Sequence, residues 1–206
     1  MNKNKLKAAE AAFLHQYPGG FFNPIMVERG KKYKSEKLTL RAQEVLQKDR
    51  FYNTELVSED IIKTVTYSAM VSVFEKPKFR DFVRGLSMKE LNRLTAAYYQ
   101  LLHEDMEAGF TELVALLDQE KCAKWTLVTV CPFYFRPGEE VFVKPTTTKN
   151  IINYFEIPGL IYKAKPTWDF YKDYRTIIQE MKTLVNPSLS PDSAAFTAFL
   201  MLAMEI

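Results

Sequence analysis

The stretch Trp125-Thr126-Leu127-Val128-Thr129-Val130-Cys131-Pro132-Phe133-Tyr134-Phe135 holds neither a charged side chain nor a glycine. How it is read decides the fold of the last third of the chain. Val, Thr, Phe and Tyr suit a pleated, half-buried surface, so the run reads as the first strand of a small sheet turned at Arg136-Pro137-Gly138. It reads equally as a buried helix stopped by Pro132, because periodicity cannot separate the two over so short an apolar run. Glu140 to Lys144, which alternates in part, and the apolar Leu160-Ile161-Tyr162 are the candidate partners of such a sheet.

Outward from this stretch the pattern is helical. Residues 3–16 place Leu6, Ala9, Phe13 and Leu14 on one side of a helix that ends at Tyr17-Pro18-Gly19-Gly20. Asn23-Pro24 pairs a cap with an N1 proline. Residues 37–49 carry Leu38, Ala42, Val45 and Leu46 at helical spacing. Ser58-Glu59-Asp60 predicts a helix start, with a hydroxyl cap and two acids at the positive end of the dipole. Ser87-Met88-Lys89-Glu90 is a capping box, and a further helix covers about 109–118. After the ambiguous stretch, helices are predicted from Pro145 with a threonine cap, from Thr167, and from Ser190-Pro191-Asp192. The expected fold is mainly α: a multi-helix globular domain with a small β element in the last third. A helical part (1–120) with a basic N-terminal segment meets an α+β part (121–206) near residues 118–124, the two possible as one continuous domain.

Composition narrows the function classes. With 206 residues, 47% hydrophobic and 26% charged, the chain can bury a core without a metal or disulfide staple. Seven glycines and two cysteines exclude collagen-like and disulfide-scaffold classes. The net charge of +3 is unevenly spread: residues 1–50 hold 11 cations against 5 acids, 51–120 hold 7 against 12, and 121–206 hold 10 against 8. A basic first quarter steers anionic partners or docks on the acidic middle. Cys122 and Cys131 form no CxxC or zinc spacing and are expected to be reduced thiols in a cytoplasmic protein. The N-terminus lacks the apolar core of a secretory signal. The longest weakly polar run, 193–204, falls short of the roughly 20 residues that cross a bilayer, so no membrane partner is expected. No cofactor is implied.

The best candidate for chemistry is Lys144-Pro145-Thr146-Thr147-Thr148-Lys149. A helix beginning here gathers unpaired backbone N–H groups, three hydroxyls and two ammonium groups at one point, which favours phosphate or carboxylate. Arg136 completes the pocket if the intervening segment forms a hairpin. The stretch lacks the glycines of a Walker loop. In Phe74–Arg84, aromatic and basic residues interleave in the composition used to stack bases and hold phosphates, while Phe79, Phe82 and Val83 suit the inner face of a short helix, and the core reading is favoured. Trp168, Tyr171 and Tyr174 form an aromatic stripe, which is more often core than platform. His103 and Glu107, four apart, would share a helix face, but the chain offers no third metal ligand beside them. No GxSxG, HExxH or GxGxxG is present.

Several segments carry a resemblance: Tyr17-Pro18-Gly19-Gly20-Phe21, Gly30-Lys31-Lys32-Tyr33-Lys34, Met70 to Arg80, Pro132-Phe133-Tyr134-Phe135-Arg136, Val143-Lys144-Pro145-Thr146-Thr147 and Pro187-Ser188-Leu189. On these the chain resembles a family of bacterial proteins of about this length with no assigned activity. Its last third is also similar to modules of bacterial restriction and repair systems. The resemblance supplies no catalytic residues. The function expected from the residues is a non-enzymatic cytoplasmic binding module for nucleic acid or a phosphorylated ligand, using Arg136, Lys144, Thr146, Thr147, Thr148 and Lys149. The alternatives are an enzyme on a small acidic or phosphorylated substrate, with His103 or a Glu as base, and a homo-oligomer or partner-binding protein. The last would use Phe196, Phe199, Leu200, Met201 and Met204 of the C-terminal helix.

Overall fold

A computed structural model describes residues 1–31 and 35–205 of the chain. Lys32 and Lys34 of the basic segment lie outside the described residues. The ambiguous stretch is a helix, α8 (Trp125–Phe135), and every side chain from Trp125 to Tyr134 is buried. A helix that is apolar all round has no solvent face and belongs at the centre of the fold. Four earlier helices pack around it: α3 (Ser35–Val45), α4 (Thr54–Tyr67), α6 (Met88–His103) and α7 (Met106–Gln119). Pro132 sits within α8 rather than ending it, and the helix continues until Arg136 N–H bonds Pro132 O at 2.9 Å.

The expected β element is corrected by this arrangement: among the described residues there is no strand. Val141, Phe142 and Val143 are buried in a segment without regular secondary structure. Their polar groups are met by side chains instead. Thr129 Oγ1 accepts Val143 N–H at 3.1 Å while donating to Trp125 O at 2.7 Å. A buried backbone donor needs a partner, and a hydroxyl supplies it as well as a neighbouring strand does.

The remaining elements follow their local signals with some shifts. α1 (Lys3–Gln16) is capped by the Asn2 carboxamide, and α2 (Pro24–Lys31) begins at its N1 proline. α4 starts at Thr54, capped by Asn53, and not at Ser58. Ser58 is mid-helix, bonding back to Glu55 O at 2.8 Å, and Asp60 is buried between Arg41 (2.9 Å) and Arg50 (3.1 Å). α5 (Glu75–Gly85) buries Phe79 and Val83. The predicted capping box at Ser87 and Glu90 forms at the head of α6. α7 (Met106–Gln119) runs back along α6 after an Asp105 cap. The link at 118–124 is a tight cap: Lys121 takes φ 55° and Cys122 N–H returns to Leu117 O at 2.8 Å.

Three helices close the chain: α9 (Pro145–Tyr154), α10 (Trp168–Thr183) and α11 (Ser193–Leu202), the last capped by Asp192. The two ends of the chain meet. Phe13 of α1 stands edge-on to Phe199 of α11 at 5.3 Å, and Asn186 N–H bonds the Glu10 carboxylate at 2.6 Å. One buried cluster runs from Leu6 to Ala203. Phe196, Phe199 and Leu200, read from sequence as an oligomer face, lie wholly inside it. Of that face only Met201 is exposed, with Met204 partly buried.

Candidate functional site

α9 begins where the sequence places a helix start, because proline at N1 fixes φ and gives up a donor that is unpaired there anyway. Its N-cap is Lys144, and no side chain caps the amides behind it. Lys144, Thr146 and Lys149 are exposed. The other two threonines turn inward. Thr147 is buried with its hydroxyl 3.6 Å from Met201 Sδ. Thr148 is fully buried and faces the Tyr174 phenol, whose pKa is raised chiefly by burial. Its hydroxyl closes no well-formed hydrogen bond among the described residues. The packing of α10 and α11 against α9 decides these orientations, so a cradle of three hydroxyls is reduced to Thr146, two lysines and the uncapped amides.

Arg136 is not part of this cluster. Its guanidinium donates to Leu101 O at 3.2 Å and stands 3.5 Å from the Glu140 carboxylate. Glu140 has no exposure at all; Arg175 approaches it at 3.0 Å and Tyr171 donates to it at 2.8 Å. Burial raises its pKa, while Arg175, Arg136 and the Tyr171 hydroxyl oppose the rise. With Arg175, Gln179 and Lys182 bonded to the carbonyls of Gly138 and Glu139, this group fastens the 137–144 segment to α10 and thereby sets where α9 starts. Sequence reading missed Glu140, although a lone acid ahead of Val141-Phe142-Val143 is a signal for a buried, paired carboxylate.

A groove of about 540 Å³ opens beside the α9 start, between α9 and the end of α11. Thr146, Asn150, Asn153 and Tyr154 line one side, with Thr147 beside Thr146, and Met201, Met204 and the acid Glu205 line the other. The first four recur at i, i+4, i+7 and i+8 from Thr146, a legible stripe that the sequence reading did not use. Lys149 lies one turn before Asn153 on the adjoining face, and Lys5 reaches over the Tyr154 ring at 5.4 Å while pairing with Glu156 at 2.8 Å. A groove with exposed carboxamides, an aromatic ring and flanking ammonium groups can accept hydrogen bonds, a stacked ring and negative charge.

The other sequence candidates divide. Tyr171 and Tyr174 are buried, so the aromatic stripe of α10 is core. Phe79 and Val83 are core, whereas Val73 and Phe74 stand 70% and 78% exposed ahead of α5. His103 ends α6 and Glu107 lies in the first turn of α7, so the helix break at Glu104–Asp105 removes their shared face. His103 Nε2–H donates to Leu46 O at 2.8 Å, and the ring packs among Phe51, Tyr99 and Phe135. Burial is the main cause of its lowered pKa. Among the described residues no three His, Cys, Asp or Glu side chains converge as metal ligands, and no helix is long and apolar enough to cross a membrane. Both cysteines are free and buried, and burial pushes the Cys131 thiol up to about 12.

No family model, curated protein or solved structure matches this chain.

Proposed function

We propose that the protein is a non-enzymatic cytoplasmic module that binds a phosphate-bearing ligand or nucleic acid at the start of α9. The reading is carried by one observation: the uncapped, lysine-flanked helix start opens directly onto the 540 Å³ groove through Thr146. The amides and the helix dipole favour an anion there, contributing about 0.3 to 1 kcal/mol, and Lys144 and Lys149 add charge from solvent-exposed positions. Asn150, Asn153 and Tyr154 supply contacts for whatever the phosphate is attached to. Free thiols with raised pKa values suit a reducing compartment.

Crystals soaked in sulfate test the anion site directly, with density expected at residues 146–149. In solution, anisotropy titrations with single- and double-stranded DNA and RNA at two salt concentrations should show affinity falling steeply with salt. A Lys144→Ala, Lys149→Ala double variant should lose that affinity. Unchanged binding in the double variant, together with an empty sulfate soak, overturns the reading.

A further inference from the structure

The α9 start is one end of a longer surface. Glu75, at the head of α5, accepts a hydrogen bond from Thr126 of α8 at 2.7 Å and so brings the starts of those two helices together. Lys78 lies in the first turn of α5 and Lys124 is the N-cap of α8, so that contact sets both lysines at the joined helix starts. One residue into α8, Trp125 Nε1–H donates to Lys163 O at 2.7 Å, and its ring lies 6.3 Å from that of Tyr162. Lys149 of α9 then reaches over the Tyr162 ring at 5.7 Å. Four contacts thus tie the α5 start, the α8 start, the 161–163 loop and the α9 start side by side.

This surface exposes cationic side chains and the Phe74 ring, with the aliphatic Val73 and Ile161 beside them. Lys78, Lys124, Lys163 and Lys149 are exposed, and none is in an ion pair among the described residues. The nearby acids are largely committed: Glu75 to Thr126 and Ser72, and Asp118 to Lys165. Glu120 is exposed and is the acid that opposes these lysines. Phe74 stands 78% exposed at one end, and Tyr162 is half-buried beneath Lys149 at the other.

We infer that this surface is a track for single-stranded nucleic acid, with the exposed Phe74 ring as its stacking platform and Lys78, Lys124, Lys163 and Lys149 on the phosphates. The inference rests on the phosphate reading of the α9 start and extends it. An exposed ring can take the face of an unpaired base, which a duplex keeps stacked inside itself, while ammonium groups follow the backbone without reading sequence. Beyond Lys149 the track meets Asn150 and Asn153, whose carboxamides carry the donor and acceptor pair that a base edge takes and a bilayer surface does not. That distinction favours a nucleic acid over an anionic membrane for the same lysines and apolar tips.

The test is an anisotropy titration of the full-length protein with a fluorescein-labelled oligothymidylate of about 15 nucleotides, within the range of known single-strand sites. Four phosphate contacts predict a log–log salt slope of about −3. Phe74→Ala, at a position too exposed to disturb the fold, should weaken binding roughly ten-fold. Lys78→Ala with Lys124→Ala should flatten the slope by about 1.4. A duplex of equal length should bind more weakly than the single strand. Unchanged affinity in Phe74→Ala, equal or tighter binding of the duplex, or binding to phosphatidylserine vesicles but not to the oligonucleotide overturns the track. If only Lys144→Ala with Lys149→Ala weakens binding, the track fails and the anion site at α9 stands. If that pair has no effect and the sulfate soak is empty, both readings fail.

Discussion

A carboxylate sealed from water must be paired or protonated, and Glu140 sits between these states. Its Arg175, Arg136 and Tyr171 partners do not fully offset burial, so its folded pKa stays above the ordinary carboxylate value. A carboxyl with a raised folded pKa holds more protons folded than unfolded between the two values. Its contribution is therefore complete below about pH 4 and is lost as pH rises through the folded pKa. The glutamine isostere has no such slope. Urea unfolding of wild type and Glu140→Gln across that window should show the variant gaining on wild type as pH rises. Comparing the two proteins at each pH cancels the opposite slope from Glu59, Asp81, Glu90 and Glu156, whose pKa values are lowered mainly by their hydrogen-bonded partners. Glu140→Ala is a different change, because it removes the acceptor shared by Tyr171 and Arg175 and leaves them only the longer contacts to Val141 O (3.4 Å) and Glu139 O (3.3 Å). It should cost about 2 kcal/mol at neutral pH. Equal pH profiles for wild type and Glu140→Gln would show that the carboxylate is ionised at no net expense.

At the scale of elements, α6 and α7 approach closely where Gly109 lies against the α6 backbone. A Cβ added at Gly109 would meet Ala97 O at 2.6 Å and would also collide with Leu101 N. Neither neighbour is a movable side-chain tip, so Gly109→Ala must push the hairpin apart and should destabilise by about 3 kcal/mol. A urea midpoint within experimental error of wild type would refute that packing. Sequence reading placed a helix over 109–118 and Phe110, Leu113, Val114 and Leu117 inside it, but a glycine within a helix does not announce which backbone it touches. The same limit governs the rest of the fold. Pro24, the Ser87–Glu90 box and Pro145 were legible because a cap or an N1 proline acts within one turn. Asn53 caps α4 as Ser58 was expected to, and the two signals differ only in which turn is first. α8 was ambiguous because an all-apolar helix has no period; its eleven residues are long for a strand, and length was the remaining arbiter. At the candidate site, the position of the helix start was legible and the direction of each threonine was not. Thr147 and Thr148 face inward only because α10 and α11 cover that side.

The whole molecule is closed by its ends. α1 would be a marginal helix alone, since fourteen residues are about the lower limit for an isolated helix in water. Its stability comes from docking. Phe13 is fully buried, with Tyr17 and Phe21 near it at 5.0 and 5.6 Å and the edge of Phe199 against it from α11. Phe13→Ala should therefore cost about 3 to 5 kcal/mol although it lies near the N-terminus. Phe199 is its counterpart, and the two roles open to an apolar C-terminal helix give opposite results there. If Phe199 belonged to a subunit interface, Phe199→Glu would yield a folded chain of lower mass with a melting temperature independent of protein concentration. Because Phe199 has no exposure in the single chain, Phe199→Glu instead buries an unpaired carboxylate, a change that costs several kcal/mol and exceeds the margin of many domains. The expected result is loss of cooperative melting by circular dichroism at every protein concentration, accompanied by aggregation. A variant that melts cooperatively near the wild-type temperature and elutes at half the wild-type mass would mean that α11 leaves the core to serve a second copy.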